Sequence, residues 1–167
     1  VLAAYIRWGK KCLDHFNGMF AFATYDTRLK KTIIAKDRLG VKPLYYWFSG
    51  KTLVFASEIK AITKHPDYKM ELNKQALNEY FTFQNLFSYR TLFQNITMLP
   101  PANTVRIDAL SKDVLHRSWW DYDFTQADEN MTFEEAKNET ERLFKQAVTR
   151  QMIADVPVGS YLSGGMD

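Results

Sequence analysis

The chain has 167 residues, of which 46% are hydrophobic and 25% charged, a globular composition and not a disordered one. The net charge of +3 is small and its basic residues are scattered, which argues against a nucleic-acid surface. A single cysteine, Cys12, excludes an internal disulfide and fits a reducing, cytoplasmic setting. No apolar run reaches the roughly 18 residues of a membrane span.

The chain opens without Met on helix-like spacing at Leu2, Tyr5 and Ile6, and stops at Asp167 just after a glycine pair. Both ends read as cuts. Met19 to Tyr25 alternates as a strand, and Thr32 to Lys36 is a second, β-branched run. Asp37 to Pro43 carries Gly and Pro and reads as a loop. Leu44 to Phe48 and Thr52 to Ala56 are two further strands around a Ser49-Gly50 turn. The spacing predicts that residues 19 to 56 form one antiparallel sheet layer. Ser57 is a candidate cap for a short helix through Thr63, and Asn73 for a second helix with Ala76, Leu77, Tyr80 and Phe81 on one face.

Leu99-Pro100-Pro101 punctuates before a strand, Thr104 to Ile107. The stretch 113–131, with Trp119 and Trp120, reads as a linker whose aromatics are pinned to one domain. Thr132 and Glu135 form a capping box for a helix whose stripe includes Leu143 and Phe144. Val156 to Leu162 then reads as a buried strand ending in Ser163-Gly164-Gly165. Helix, apolar strand and glycine loop together are the grammar of a parallel α/β sheet. The predicted organisation is α+β over 1–112, linker over 113–131, and the start of an α/β domain over 132–167. On this reading the Leu143 and Phe144 face packs on that sheet.

Two segments carry chemistry. A strand ending in Ser-Gly-Gly turns backbone N–H groups toward an anion, and glycine lets phosphate approach closely. Ser163 can donate to phosphate. Asp167, being acidic, is better suited to orient Mg²⁺ or the loop, so no metal ligand is certain. By itself this pattern is as well explained by a plain glycine turn. The second segment is Asp37-Arg38-Leu39-Gly40-Val41-Lys42-Pro43-Leu44-Tyr45, where Asp37 taken alone is best explained by an ion pair with Arg38 or Lys36.

With its flanks, Asp155 to Asp167 resembles the pyrophosphatase-loop entry of glutamine-dependent asparagine synthetases. The Asp37–Tyr45 segment, with Phe16 to Phe22 before it and Ala56 to Ala61 after it, resembles class II glutamine amidotransferase domains. The resemblance covers nearly the whole chain. It implies an αββα N-terminal-nucleophile hydrolase-like glutaminase part, then the start of an ATP-pyrophosphatase domain. It also implies glutamine, aspartate and ATP with Mg²⁺ as substrates, release of AMP and pyrophosphate through a β-aspartyl-adenylate, and a cytoplasmic enzyme for which a homodimer is one assembly. It carries a glutamine-ammonium role to Asp37, which is expected at the end of its strand facing a cleft, and ATP contacts to Leu162, Ser163, Gly164, Gly165 and Asp167. In the family the nucleophile is a cysteine at the mature N-terminus; Cys12 is internal and is expected to pack in the core. This chain alone is therefore expected to lack glutaminase activity. Amidotransferases acting on a polysaccharide or peptide carboxylate share these motifs, and a non-catalytic homologue stays open beside them.

Overall fold

The computed structural model describes residues 1–125 and 130–165. They fall into two compact units, Val1–Tyr122 and Asp123–Asp167.

In the first unit, α1 (Leu2–Trp8) runs into a 3-10 segment, Gly9–His15. Strands β1 (Ala21–Asp26) and β2 (Lys31–Lys36) follow as an antiparallel pair. Next come β3 (Tyr45–Phe48), β4 (Leu53–Ala56), α2 (Ile59–Thr63) and α3 (Lys74–Phe83). The two-residue β5 (Thr97–Met98), β6 (Asn103–Asp108) and β7 (Val114–Ser118) complete the unit. These strands make two antiparallel sheets, ordered β1-β2-β6-β7 and β4-β3-β5.

Residues 19 to 56 therefore do not form the single layer that their spacing predicts. The reason lies in the loop after β2. A hairpin would fold β3 back onto β2, but residues 37–43 carry the chain to a second sheet, and β2 pairs instead with β6. Side chains alternate across each strand, so both sheets are apolar on two faces. Ile34, Val105 and Ile107 of the first sheet pack against Leu44, Tyr46 and Leu99 beside the second. On the far side of β2, Ala35 packs with Cys12 and Leu13 of the 3-10 segment and with Phe20, Phe22 and Trp119. On the far side of β3, Trp47 packs with Ile62 of α2, Tyr68 and Ile96. The order of packing is helix, sheet, sheet, helix.

Local details depart from the sequence reading in small ways. Glu58, not Ser57, precedes α2, and it makes no side-chain cap. Asn73 does cap α3, its Oδ1 accepting from the Ala76 N–H at 3.1 Å. The stretch read as linker contains β7, whose register runs Asn103 against Ser118 through Ile107 against Val114. Trp119 then donates its ring N–H to the Lys36 carbonyl at 3.1 Å. It is thus pinned to the first unit, and the unit boundary falls at Tyr122.

In the second unit, α4 (Phe133–Gln151) begins at the predicted capping box: Thr132 Oγ1 accepts from the Glu135 N–H, and the Glu135 carboxylate accepts from the Thr132 N–H at 2.9 Å. No residue of α4 is buried, and Leu143 and Phe144 are exposed. Val156 to Leu162 is not a strand: it makes no ladder among the described residues, and Leu162 is 93% exposed. A parallel strand needs neighbours on both sides for its N–H and C=O groups, and the described residues supply none. The expected packing of Leu143 and Phe144 on that sheet is corrected for the same reason.

Candidate functional site

Asp37 sits one residue beyond β2, where the chain leaves the first sheet. Its carboxylate accepts three backbone N–H groups: Val41 at 2.9 Å, Lys42 at 3.1 Å and Phe20 at 3.2 Å. Its own N–H donates to the Phe20 carbonyl at 2.9 Å, and its carbonyl accepts from Gly40 at 3.2 Å and Ala102 at 2.8 Å. One residue thus ties the entry to β1, the 37–43 loop and the entry to β6. A carboxylate has about four acceptor positions, and three of them are filled.

The sequence reading expects Asp37 to face a cleft. The structure corrects this: Asp37 is only 2% exposed and its carboxylate points into the loop it organises. An ion pair with Arg38 or Lys36 is not what holds it either. Lys36, also buried, donates Nζ to the Leu99 carbonyl at 3.2 Å. Burial pushes the Lys36 pKa down, and the nearby Asp37 charge offsets part of that.

Gly40 turns the loop at φ +71°. A Cβ there would lie 2.7 Å from Pro101 Cγ, so glycine is required both for the backbone angle and for the close approach. The Pro100-Pro101 punctuation is thereby half of a contact whose other half is the amidotransferase-like loop.

The sequence reading offers Arg38 only as an ion-pair partner for Asp37. Its guanidinium lies 5.6 Å from the Trp119 ring and 5.7 Å from the Trp120 ring, a cation held against two aromatic faces. Its Nε is buried without a hydrogen-bond partner. The signal for this contact is the Trp pair itself, eighty residues away in sequence and silent about its partner until the fold brings them together.

Cys12 is fully buried, and burial raises its thiol pKa, which suppresses the reactive thiolate. Its place is in the core, as the sequence reading expects.

The nucleotide-loop residues lie in the second unit. Gly164 has φ +74° and open space where a Cβ would stand. Ser163 Oγ accepts from the Gly165 N–H at 3.3 Å, closing a small turn. Leu162, Ser163, Gly164 and Gly165 are exposed. The backbone has the left-handed glycine that a phosphate cradle uses, while one of its N–H donors is occupied by Ser163. Asp167 lies outside the described residues. Among the described residues no group of three His, Cys, Asp or Glu side chains could hold a metal ion, and no helix is long and apolar enough to cross a membrane.

Comparison with known proteins bears on these loops directly. Residues 1–120 match the glutamine amidotransferase domain family, and residues 139–167 match the asparagine synthase family. Asparagine synthetase [glutamine-hydrolyzing] 3 of Bacillus subtilis is 40% identical over all of this chain and 27% of its own length. A putative asparagine synthetase [glutamine-hydrolyzing] 2 of Methanocaldococcus jannaschii is 33% identical, over all of this chain and 32% of its own length. For asparagine synthetase B [glutamine-hydrolyzing] of Escherichia coli the identity is 31%, over all of this chain and 25% of its own length. The chain spans between a quarter and a third of these relatives.

Proposed function

The chain belongs to the glutamine amidotransferase domain family, and we propose that it is part of a glutamine-hydrolysing asparagine synthetase. The observation that carries this reading is the order of two family matches on one chain, amidotransferase over 1–120 and asparagine synthase over 139–167. The helix–sheet–sheet–helix packing supports an N-terminal-nucleophile hydrolase-like fold for the first unit.

In this reading the protein takes ammonia from glutamine and delivers it to aspartate activated by ATP·Mg²⁺. A carboxylate oxygen is a poor leaving group, whereas AMP on a β-aspartyl-adenylate is a good one. Ammonia attack then breaks the acyl–phosphate bond and leaves asparagine and AMP, pyrophosphate having left at the activation step. Asp37 serves the glutamine side by holding the 37–43 loop, since its carboxylate is buried among three N–H donors. Leu162 is assigned to the nucleotide, Ser163, Gly164 and Gly165 to its phosphates, and Asp167 to Mg²⁺ or the loop. The chain by itself is read as inactive toward glutamine, because its one cysteine is buried at position 12.

The test is made on the intact protein that contains this chain. Pyrophosphate release should require aspartate, and asparagine should form with either glutamine or free ammonia. Pyrophosphate release that ignores aspartate but follows a sugar-acid or peptide carboxylate would assign the protein to the related amidotransferases instead. Absence of ATP turnover with every acceptor would leave the non-catalytic reading.

A further inference from the structure

Three consecutive residues at the end of β2 each fix a different part of the first unit. The Lys36 carbonyl accepts from the ring N–H of Trp119 at 3.1 Å. Asp37 organises the 37–43 loop through the Val41 and Lys42 N–H groups. Arg38 reaches the two indoles that follow β7, its guanidinium lying 5.6 Å from the Trp119 ring and 5.7 Å from the Trp120 ring. Trp119 has other anchors: its backbone N–H donates to the Ala102 carbonyl at 2.9 Å, and its ring stacks on Phe20 with centroids 6.2 Å apart. The Trp120 ring is held by Arg38 and by an edge contact with Tyr122 at 4.7 Å. At Tyr122 the first unit ends.

This contact is a poor device for stability alone. Arg38 Nε is buried without a hydrogen-bond partner, and among the described residues no carboxylate pairs with the guanidinium. A buried unpaired donor destabilises by about as much as a cation on an aromatic face stabilises. A methionine on the same indoles would pack there with no donor to satisfy. What the guanidinium adds is orientation, since a planar cation is drawn to the face of each ring. We propose that Arg38 is a positioning residue: it holds Trp120, and so the segment by which the chain leaves the first unit, in register with the 37–43 loop. A displacement of that loop carries Arg38 with it, and Trp120, without the backbone anchor that fixes Trp119, is the ring that follows. The proposal rests on the reading of the protein as a glutamine-hydrolysing synthetase, in which this coupling keeps glutamine hydrolysis in step with use of the ammonia. Arg38 touches no substrate in this role and acts through Trp120.

The test is made on the intact protein that contains this chain, with Arg38→Met and Trp120→Leu made singly and together. It reads glutamate released per asparagine formed, asparagine formation from free ammonia, and the thermal midpoint. Each single variant is expected to raise the glutamate-to-asparagine ratio at least about threefold, while kcat/KM for glutamine stays within about twofold of the unsubstituted protein. Ammonia-dependent synthesis should be unchanged. The double variant should raise the ratio no further than either single one, because both remove the same contact. If Arg38→Met does not fold, Trp120→Leu alone carries the same expectation. An unchanged ratio overturns the proposal. So does a parallel fall of all activities with a lowered midpoint, which is what a merely structural role produces, and so does a ratio that rises additively in the double variant. Failure of the underlying reading is distinct: the unsubstituted protein would form no asparagine from either nitrogen source, and the proposal would fall with it.

Discussion

Asp37 ties the entry to β1, the 37–43 loop and the entry to β6 together. Replacing it with Asn keeps one acceptor oxygen but turns an NH₂ group toward N–H donors that a carboxylate satisfied. Leaving buried donors unpaired costs about 1–3 kcal/mol each, so Asp37→Asn should lower the unfolding free energy of the 1–167 chain by about 3 kcal/mol. A urea titration followed by near-ultraviolet circular dichroism measures this; an unchanged midpoint would mean that the loop does not depend on the carboxylate. Gly40→Ala should cost a similar amount, because the new methyl meets Pro101 at 2.7 Å and the backbone sits at φ +71°. Pro101→Ala in the same chain should recover part of that loss, and failure to recover any would put the whole effect in the backbone angle. The sequence marks Asp37 and Gly40 as special through their spacing to Pro43 and Tyr45. It could not reveal which way the carboxylate points, because the three N–H donors come from residues 20, 41 and 42, and only the fold brings Phe20 there. Arg38 was illegible for the same reason: both of its indole partners lie beyond β7.

Elements were legible where a local pattern suffices. The alternation in β1 to β4 and the caps of α3 and α4 are properties of neighbouring residues, and the structure matches them to within a residue or two. β5 has two residues and no periodicity to display, and β7 reads as linker because its pairing with β6 gives it only an edge position. Val156 to Leu162 shows the reverse case: an apolar run is a strand only when other strands accept its hydrogen bonds. The segment after α3 is held by a single acidic side chain. Glu79 accepts from the Phe87 N–H at 2.6 Å, the Ser88 N–H at 3.0 Å and the Ser88 hydroxyl at 2.5 Å. The Ser88 hydroxyl first, and then the two amides, hold its carboxyl below the ordinary range. A depressed carboxylate contributes its clip above the unfolded value, about 4.3, and loses it as pH falls through the folded one. The amide shifts of Phe87 and Ser88 should therefore titrate together with one midpoint below that value. Glu79→Gln should remove the titration. A midpoint at or above about 4.3 would show that the clip does not form in solution.

At the scale of the whole molecule, the two units differ in what sustains them. Val1–Tyr122 has three apolar clusters built around Ile34, Trp47 and Cys12, and should unfold in one cooperative transition. Among its described residues the second unit has one helix, of 19 residues, with no buried side chain. Its support is local: the Thr132 cap and the pairs Glu134–Lys137, Glu139–Arg142 and Glu141–Lys145. Exposed pairs and a single cap contribute little, and an isolated helix of this length is marginal in water. Heating the 1–167 chain should therefore show a broad, early loss of helix signal at 222 nm, followed by a sharp transition of the near-ultraviolet aromatic signal. Thr132→Ala should diminish the first and leave the second where it was. Limited proteolysis should cut beyond Tyr122 first, and residues 1–122 should keep the sharp transition. One shared sharp transition, moved as a whole by Thr132→Ala, would show that α4 draws its stability from burial that the helix's own residues do not display.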